Sequence, residues 1–226
     1  MGFTLQSVVP WGRSYAEYLQ MFSLTEVDLR KRILGCGDGP AAFNAELTRR
    51  GGHVVSLDPL YQFSSLDISN RITETYHDVI AQLAANEADY VWDTIPSVEA
   101  LGEMRMEAME LFLEDFETGK QCGRYIAEEL PVFSVADDTF DMALSSHFLF
   151  LYSAHLSVDF HIDSVMELLR VSKEVRVFPL LTLDGKTSPH LDAVLSALGT
   201  KGYNFEIKDV TYEFQKGGRQ MLVAAR

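Results

Sequence analysis

A glycine-rich turn near residue 37 is the feature of this sequence that most clearly suits a ligand. A short apolar run, Arg32–Leu34, leads into Gly35, Gly37 and Gly39, and a helical pattern follows. Glycines in such a turn let a ligand approach the backbone closely, and the N-terminus of the next helix favours an anionic group. The dinucleotide fingerprint G-x-G-x-x-G needs its third glycine where Pro40 stands, so that fingerprint fails here.

An acidic residue follows the second predicted strand. The β-branched run His53–Leu57 ends at Asp58 and Pro59. A carboxylate at this point fits a sugar diol, because each of its oxygens accepts one hydroxyl proton.

A third signature lies further along the chain. Glu129–Pro131 contains a Leu-Pro pair, and Phe140 and Asp141 then open an apolar strand. The glycine turn, the acid and this Leu-Pro…Phe-Asp pair, in this order, resemble the class I methyltransferases that use S-adenosylmethionine (SAM). The resemblance covers residues 32–59 and 125–183, and it leaves the segment between them unmatched.

The resemblance implies a SAM site at the ends of the first four strands. In the family, the turn wraps the methionine end of SAM and the acid binds both ribose hydroxyls. The cofactor-binding residues that the resemblance implies are Gly35, Cys36, Gly37, Gly39, Asp58, Pro59, Ala127, Glu128 and Ser145. The chain departs from the family at two positions. Ile33 replaces the acid that helps to position the cofactor's amino group, and Ala127, with Glu128 next to it, stands where an acid often ends the third strand.

The segment after the fourth strand is where a general base would lie. Methyl transfer depends mainly on in-line positioning, and a base adds a factor of about 10² to 10⁴. His147 is the candidate base, since imidazole titrates near neutral pH; the alternative is a hydrogen bond to a loop carbonyl. The spacings of His147, His155 and His161 match no zinc motif, so no metal site is predicted. Ser145–Phe148 also differs from the Asn/Asp-Pro-Pro-Tyr/Phe turn of enzymes that methylate adenine or glutamine amide nitrogens.

A short amphipathic segment precedes the first strand. Residues 14–22 have helical spacing, with Tyr15 and Tyr18 on one face. In related folds such a helix closes over the cofactor, so a tyrosine or Arg13 would reach the cofactor's carboxylate end. The alternative is a helix that docks by its aromatic face alone.

The remaining patterns alternate between strands and helices. The predicted strands are 32–34, 53–57, 124–127, 140–144, 175–178, about 205–207 and 220–224, and the predicted helices are 14–22, 41–50, 68–88, 98–116, 160–172 and 189–198. They predict an α/β three-layer sandwich, a mostly parallel seven-stranded Rossmann-like sheet with a C-terminal antiparallel hairpin. Residues 1–226 would form one domain, with a helical insertion at about 60–122 that either shapes a pocket or packs as extra crossover helices.

Composition limits the function. A net charge of -14 disfavours nucleic acid and anionic membranes as partners. Cys36 and Cys122 form neither a disulfide framework nor a zinc pattern, and Met1–Gln6 is not the start of a secretory signal, so a cytoplasmic location is expected. Three hypotheses stay open: a small-molecule methyltransferase, a SAM-binding regulatory protein without turnover, and an interaction protein that uses its Met-rich helix.

Overall fold

A seven-stranded sheet runs through the centre of the computed structural model, which describes residues 9–226. The strands are β1 (Arg32–Cys36), β2 (His53–Leu57), β3 (Tyr125–Ile126), β4 (Phe140–Ser146), β5 (Ser172–Phe178), β6 (Asn204–Asp209) and β7 (Gln220–Ala225). Their order across the sheet is β3-β2-β1-β4-β5-β7-β6. The pairs from β3 to β5 are parallel, and β7 is antiparallel to both β5 and β6. The predicted sheet and its C-terminal hairpin are confirmed.

Helices pack on both faces of this sheet. They are α1 (Tyr15–Met21), α2 (Phe43–Arg49), α3 (Ser65–Ala85), α4 (Val98–Gln121), α5 (Val158–Val171) and α6 (Leu191–Lys201). Neighbouring strand residues point to opposite layers: Ile33 packs with Phe43 of α2, whereas Leu34 packs with Leu168 of α5. Strands that are buried on both faces are mostly apolar, which explains the apolar runs Ile33–Cys36 of β1 and Met142–Leu144 of β4. The predicted three-layer α/β sandwich is therefore confirmed.

Several helix boundaries differ from the prediction: α4, for example, extends five residues beyond the predicted end at 116. Two of the differences have a clear local reason. The last helix was predicted to stop at Gly199, but α6 continues through it and ends before Gly202. Gly202 has φ 77°, the left-handed conformation that closes a helix, whereas Gly199 is an ordinary helical residue. Helix α3 begins at Ser65, three residues early, because Ser64 and Asp67 form a capping box.

The segment between β2 and β3 contains α3 and α4, which pack against each other. They enclose an apolar cluster of their own with the end of β2 and with β3. Its buried members are Tyr61, Ile68, Ile72, Met109, Phe112, Phe116 and Tyr125. Helix α4 thereby also contacts α2 and the edge strand β3.

The carboxyl ends of the parallel strands meet at one edge of the sheet. From β1 the chain adds β2 and β3 on one side, and it then adds β4 and β5 on the other side of β1, so the strand order switches between β1 and β4. Open α/β sheets bind ligands outside the strand ends at such a point. Within residues 9–226, no helix is long and apolar enough to cross a membrane. The expectation for Met1–Gln6 concerns residues outside those the structure describes.

Candidate functional site

The glycine turn after β1 has a backbone conformation that would be strained for most residues other than glycine. Gly37 has φ 66°, and its N–H donates to the carbonyl of Leu57 at 3.0 Å. A Cβ on Gly37 would lie 2.9 Å from the ring of Phe148. The turn is therefore tied to β2 on one side and packed against the segment after β4 on the other.

Asp58 holds this turn from the end of β2. One carboxylate oxygen accepts the N–H of Gly39 at 2.8 Å and the other accepts the N–H of Leu60, also at 2.8 Å. Burial raises the pKa of Asp58, and these two backbone hydrogen bonds partly oppose that effect. Each carboxylate oxygen has a second acceptor direction, which remains for a hydroxyl group.

Asp38 is a site residue that the sequence reasoning did not single out. Its carboxylate folds back over Gly35, where a Cβ would lie 1.8 Å from its Oδ2. The Tyr18 hydroxyl and the Ser56 hydroxyl both donate to it at 2.8 Å. Burial raises the pKa of Asp38 to about 6, and the negative charge of Asp58 adds to this, although the two hydroxyl donors lower it. The sequence feature that could have indicated Asp38 is an acid inside the glycine turn of a chain that has Ile33 where the family usually has an acid.

Cys36 lies between these carboxylates and is not a nucleophile. Its side chain is buried at the end of β1. Burial raises the pKa of the thiol well above its ordinary value, and the charges of Asp38 and Asp58 raise it further. A thiol with a raised pKa is a poor nucleophile, because the thiolate is the reactive form.

A cavity of about 950 Å³ opens over these strand ends. It is lined by the turn, by α3, by the segment after β4 and by the loop before β7, whereas α4 does not reach it. The predicted site residues on its wall are Cys36, Gly37, Gly39, Asp58, Pro59, Glu128 and His147. Gly35, Ala127 and Ser145 were also predicted, and they do not line the cavity. Asp38 covers Gly35, and Ser145 is fully buried in β4.

His147 occupies the segment after β4 in a strained conformation. Its φ is 53°, and its N–H donates to the Phe178 carbonyl at 2.7 Å. Its Nδ1 lies 2.9 Å from the Ser146 hydroxyl, and its Nε2 makes no hydrogen bond with a described residue. Burial lowers the pKa of His147 well below its ordinary value, and the charges of Arg13 and Arg105 lower it further. The imidazole is therefore neutral at neutral pH, and it borders the cavity.

The other histidines of this region are engaged elsewhere. Both ring nitrogens of His161 lie against backbone carbonyls, at 2.7 Å from Ser157 and 2.9 Å from Leu149. Among residues 9–226, no group of three or more His, Cys, Asp or Glu side chains could hold a metal ion.

A buried charge cluster connects α1, α4 and the loop before β7. Arg105 is fully buried and makes two hydrogen bonds to Glu17, at 2.5 and 2.7 Å. Tyr212 donates to the same carboxylate at 2.8 Å. Burial alone would raise the pKa of Glu17, but the charge and hydrogen bonds of Arg105 outweigh it and lower the pKa. Arg13 borders this cluster and lines the cavity, whereas Tyr15 packs away from the cavity on Phe43.

One curated relative decides the family. No family profile matches the chain. An archaeal protein of Methanocaldococcus jannaschii, the uncharacterized protein MJ0045, is 33% identical over 223 residues, which cover 98% of each chain. This chain belongs to the MJ0045 family.

Solved structures identify the fold of this MJ0045-family chain. The methyltransferase domain of bacterial CtHen1 superposes with a TM-score of 0.50 at 11% identity, over 94% of this chain and 97% of that domain. A magnesium protoporphyrin IX methyltransferase from Synechocystis PCC 6803, crystallised with bound SAM, is similar at a TM-score of 0.48 and 11% identity, over 94% and 77% of the two chains. The MJ0045-family chain has the fold of the class I SAM-dependent methyltransferases, as the sequence motifs predicted.

Proposed function

We propose that this protein is a SAM-dependent methyltransferase that acts on a small-molecule acceptor. The observation that carries the proposal is the meeting of the glycine turn and the Asp58 carboxylate on the wall of one cavity at the carboxyl edge of the sheet. The solved structures with this fold include methyltransferases, and one of them contains SAM.

The residues around the turn fit SAM. A volume of about 950 Å³ lies at the upper end of the range for small-molecule sites, so it accommodates a cofactor together with a small acceptor. The free acceptor directions of Asp58 suit the ribose hydroxyls, and the turn brings the backbone of Gly37 and Gly39 to the ligand. Ile33 stands where the family has an acid that helps to position the cofactor's amino group. The carboxylate of Asp38, which occupies the space over Gly35, takes that role here.

SAM supplies an electrophilic methyl group, so the protein needs only to bind, to orient and to take up a proton. His147 is the candidate base: in the tautomer whose Nδ1–H donates to the Ser146 hydroxyl, Nε2 has the lone pair that accepts a proton from the acceptor. Its low pKa makes it a weak base, which is sufficient when in-line positioning provides most of the rate enhancement. The apolar wall formed by Phe148, Tyr152 and Phe178 excludes water from the acceptor.

The acceptor is a small molecule in this proposal for two reasons. A net charge of -14 repels nucleic acid, and the Ser145–Phe148 segment lacks the turn used for amino methylation of bases. A cytoplasmic location remains a prediction from the cysteine content, and one domain over residues 1–226 remains a prediction from the element pattern.

A non-catalytic SAM-binding protein is the second candidate. The observation that favours it is Asp58, whose two oxygens already accept backbone N–H groups at 2.8 Å and so hold the turn without a ligand. Turnover would then be absent although binding is intact, and His147 would only position the loop through Ser146 and Phe178.

Calorimetric titration with SAM and with S-adenosylhomocysteine tests the proposal. Both ligands should bind, and each at 100 times its dissociation constant should stabilise the protein by about 2.7 kcal/mol. Asp58→Ala should lose binding at least 30-fold, whereas Glu129→Ala, an acid on the same cavity wall but outside the turn, should bind normally. Absence of binding by both ligands at millimolar concentration would overturn the proposal.

A further inference from the structure

The buried charge cluster next to α1 contains one more positive charge than negative charge, and of its charged members only Arg13 lines the cavity. Glu17 is the acid of this cluster, and its carboxylate is saturated: it accepts from Arg105, from Tyr212 and from the backbone and hydroxyl of Ser14. Arg105 neutralises it. No acceptor capacity is left on Glu17 for Arg13.

Arg13 is the excess charge. Its Nη1 donates to the carbonyl of Trp11 at 2.8 Å, whereas its Nε is buried without a hydrogen-bond partner. No carboxylate of the described residues forms an ion pair with Arg13, and residues 1–8 contain neither Asp nor Glu. Burial lowers the pKa of Arg13, and the charge of Arg105 lowers it further. A guanidinium nevertheless stays protonated in proteins, so the charge persists.

Arg13 lies beside the glycine turn and also acts on the part of the cavity next to His147. Its backbone carbonyl accepts the N–H of Ala42 at 3.0 Å, and its charge acts on Tyr18, which donates to Asp38. The same charge depresses the pKa of His147 and acts on Tyr90, Tyr152 and Tyr212. Trp11, Phe178 and Phe214 add apolar wall on this side. A buried charge without a partner is costly, and a ligand anion removes that cost while its apolar body fills the aromatic wall.

We propose that Arg13 binds a carboxylate on an apolar acceptor molecule, so that the substrate class is aromatic or aliphatic carboxylic acids. This rests on the proposed function, because it names the acceptor of the same site. An arginine fork matches a carboxylate through two parallel N–H groups. Within residues 9–226 neither Nε nor Nη2 of Arg13 forms a hydrogen bond; Nε is covered by protein atoms, so a ligand reaches it once the side chain turns toward the cavity.

The test uses three carboxylates, namely benzoate, 1-naphthoate and octanoate, each compared with its uncharged amide by calorimetry, with and without S-adenosylhomocysteine. At least one carboxylate should bind the wild-type protein ten-fold more tightly than its amide. Arg13→Gln should remove that preference, and Arg13→Lys should retain part of it. Arg71→Gln is the matched control, because Arg71 lines the same cavity but is already paired with Glu74 at 3.3 Å. If no carboxylate is preferred, or if Arg13→Gln leaves the preference intact, the proposal is overturned.

A second titration distinguishes whether Arg13 binds the carboxylate of the acceptor or the carboxylate of the cofactor. S-adenosylhomocysteine carries a carboxylate and 5′-methylthioadenosine does not. If Arg13→Gln weakens the first ten-fold and the second not at all, Arg13 binds the cofactor's carboxylate and the acceptor assignment fails. If Arg13→Gln binds each of the two nucleosides as tightly as the wild-type protein does, the acceptor assignment is supported. If neither nucleoside binds wild-type protein but a carboxylate does, the methyltransferase proposal fails and the anion site stands.

Discussion

The two sides of the cavity have opposite charge. On the side of the glycine turn, Asp38 and Asp58 face the cavity, and neither forms an ion pair within residues 9–226. On the side of α1 and His147, Arg105 neutralises the buried carboxylate of Glu17, and Arg13 forms no ion pair within residues 9–226. Acids suit hydroxyl and amino groups of a ligand, whereas an unpaired arginine suits an anion. Under the proposed function, the two sides would receive two ligand parts of different chemistry.

Breaking the charge cluster on the α1 side should have the largest effect. Arg105→Leu leaves the Glu17 carboxylate buried without its partner, which should lower the free energy of unfolding by about 3–5 kcal/mol. Urea denaturation measures the loss. Adding Glu17→Gln should recover part of it, because the uncompensated charge is then gone.

The exposed pair Arg71–Glu74 provides the control for this prediction. Arg71→Leu should change the free energy of unfolding by less than about 1 kcal/mol. A loss below that figure for Arg105→Leu as well would mean that the α1 side is open to water, and the contrast between the two sides would disappear.

The turn side should respond to pH through Asp38. Its pKa is raised from 3.8 to about 6, so the native protein binds this proton more tightly than the unfolded chain does. Stability from this group is therefore present below about pH 4 and is lost as the pH rises to about 6, by at most about 3 kcal/mol. Asp38→Asn should remove this loss, so that the variant gains stability relative to wild type across the interval. Urea denaturation at a series of pH values measures the difference.

Asp141 is the control for this prediction, because its pKa is shifted in the opposite direction. Hydrogen bonds from Arg32 and Lys173 lower its pKa, so its stabilising contribution is present above the ordinary pKa of 3.8 and is lost as the pH falls. Asp141→Asn should therefore be less stable than wild type at neutral pH, with no such deficit in strong acid. A flat pH profile for the Asp38→Asn difference would show that this carboxyl is solvated and that the turn side is not a buried acidic surface.

The sequence could predict the turn side because its parts are local. Gly37 and Gly39 are contiguous with β1, and Asp58 ends the strand that pairs in parallel with β1. Parallel pairing of consecutive βαβ strands then brings the acid to the turn. Asp38 was not predicted as a site residue, because no sequence pattern shows that its side chain folds back over Gly35.

On the α1 side, His147 and Arg13 were indicated by the sequence, but the charge cluster of Glu17, Arg105 and Tyr212 could not be predicted, since its contacts join distant parts of the chain. Arg105 lies 88 residues from Glu17, and Tyr212 lies 195 residues from it. In the sequence, Arg105 belongs to a helix rich in Met and Glu, where a charged residue usually faces solvent. Only the packing of α4 against α1 and α2 buries it, and that packing depends on the tertiary structure.

The smallest effect concerns the contact that joins the two sides, Gly37 against Phe148. Gly123 also has a positive φ, 72°, but a Cβ there would meet nothing within 4 Å. Gly123→Ala should cost only the backbone strain, about 1 kcal/mol, whereas Gly37→Ala should cost about 2 kcal/mol, because the ring of Phe148 must also move. Thermal denaturation gives both values. Gly37→Ala should also weaken binding of S-adenosylhomocysteine, which Gly123→Ala should not. Equal costs with unchanged binding would mean that Phe148 yields freely, and then the turn and the segment after β4 would act as independent parts of the cavity.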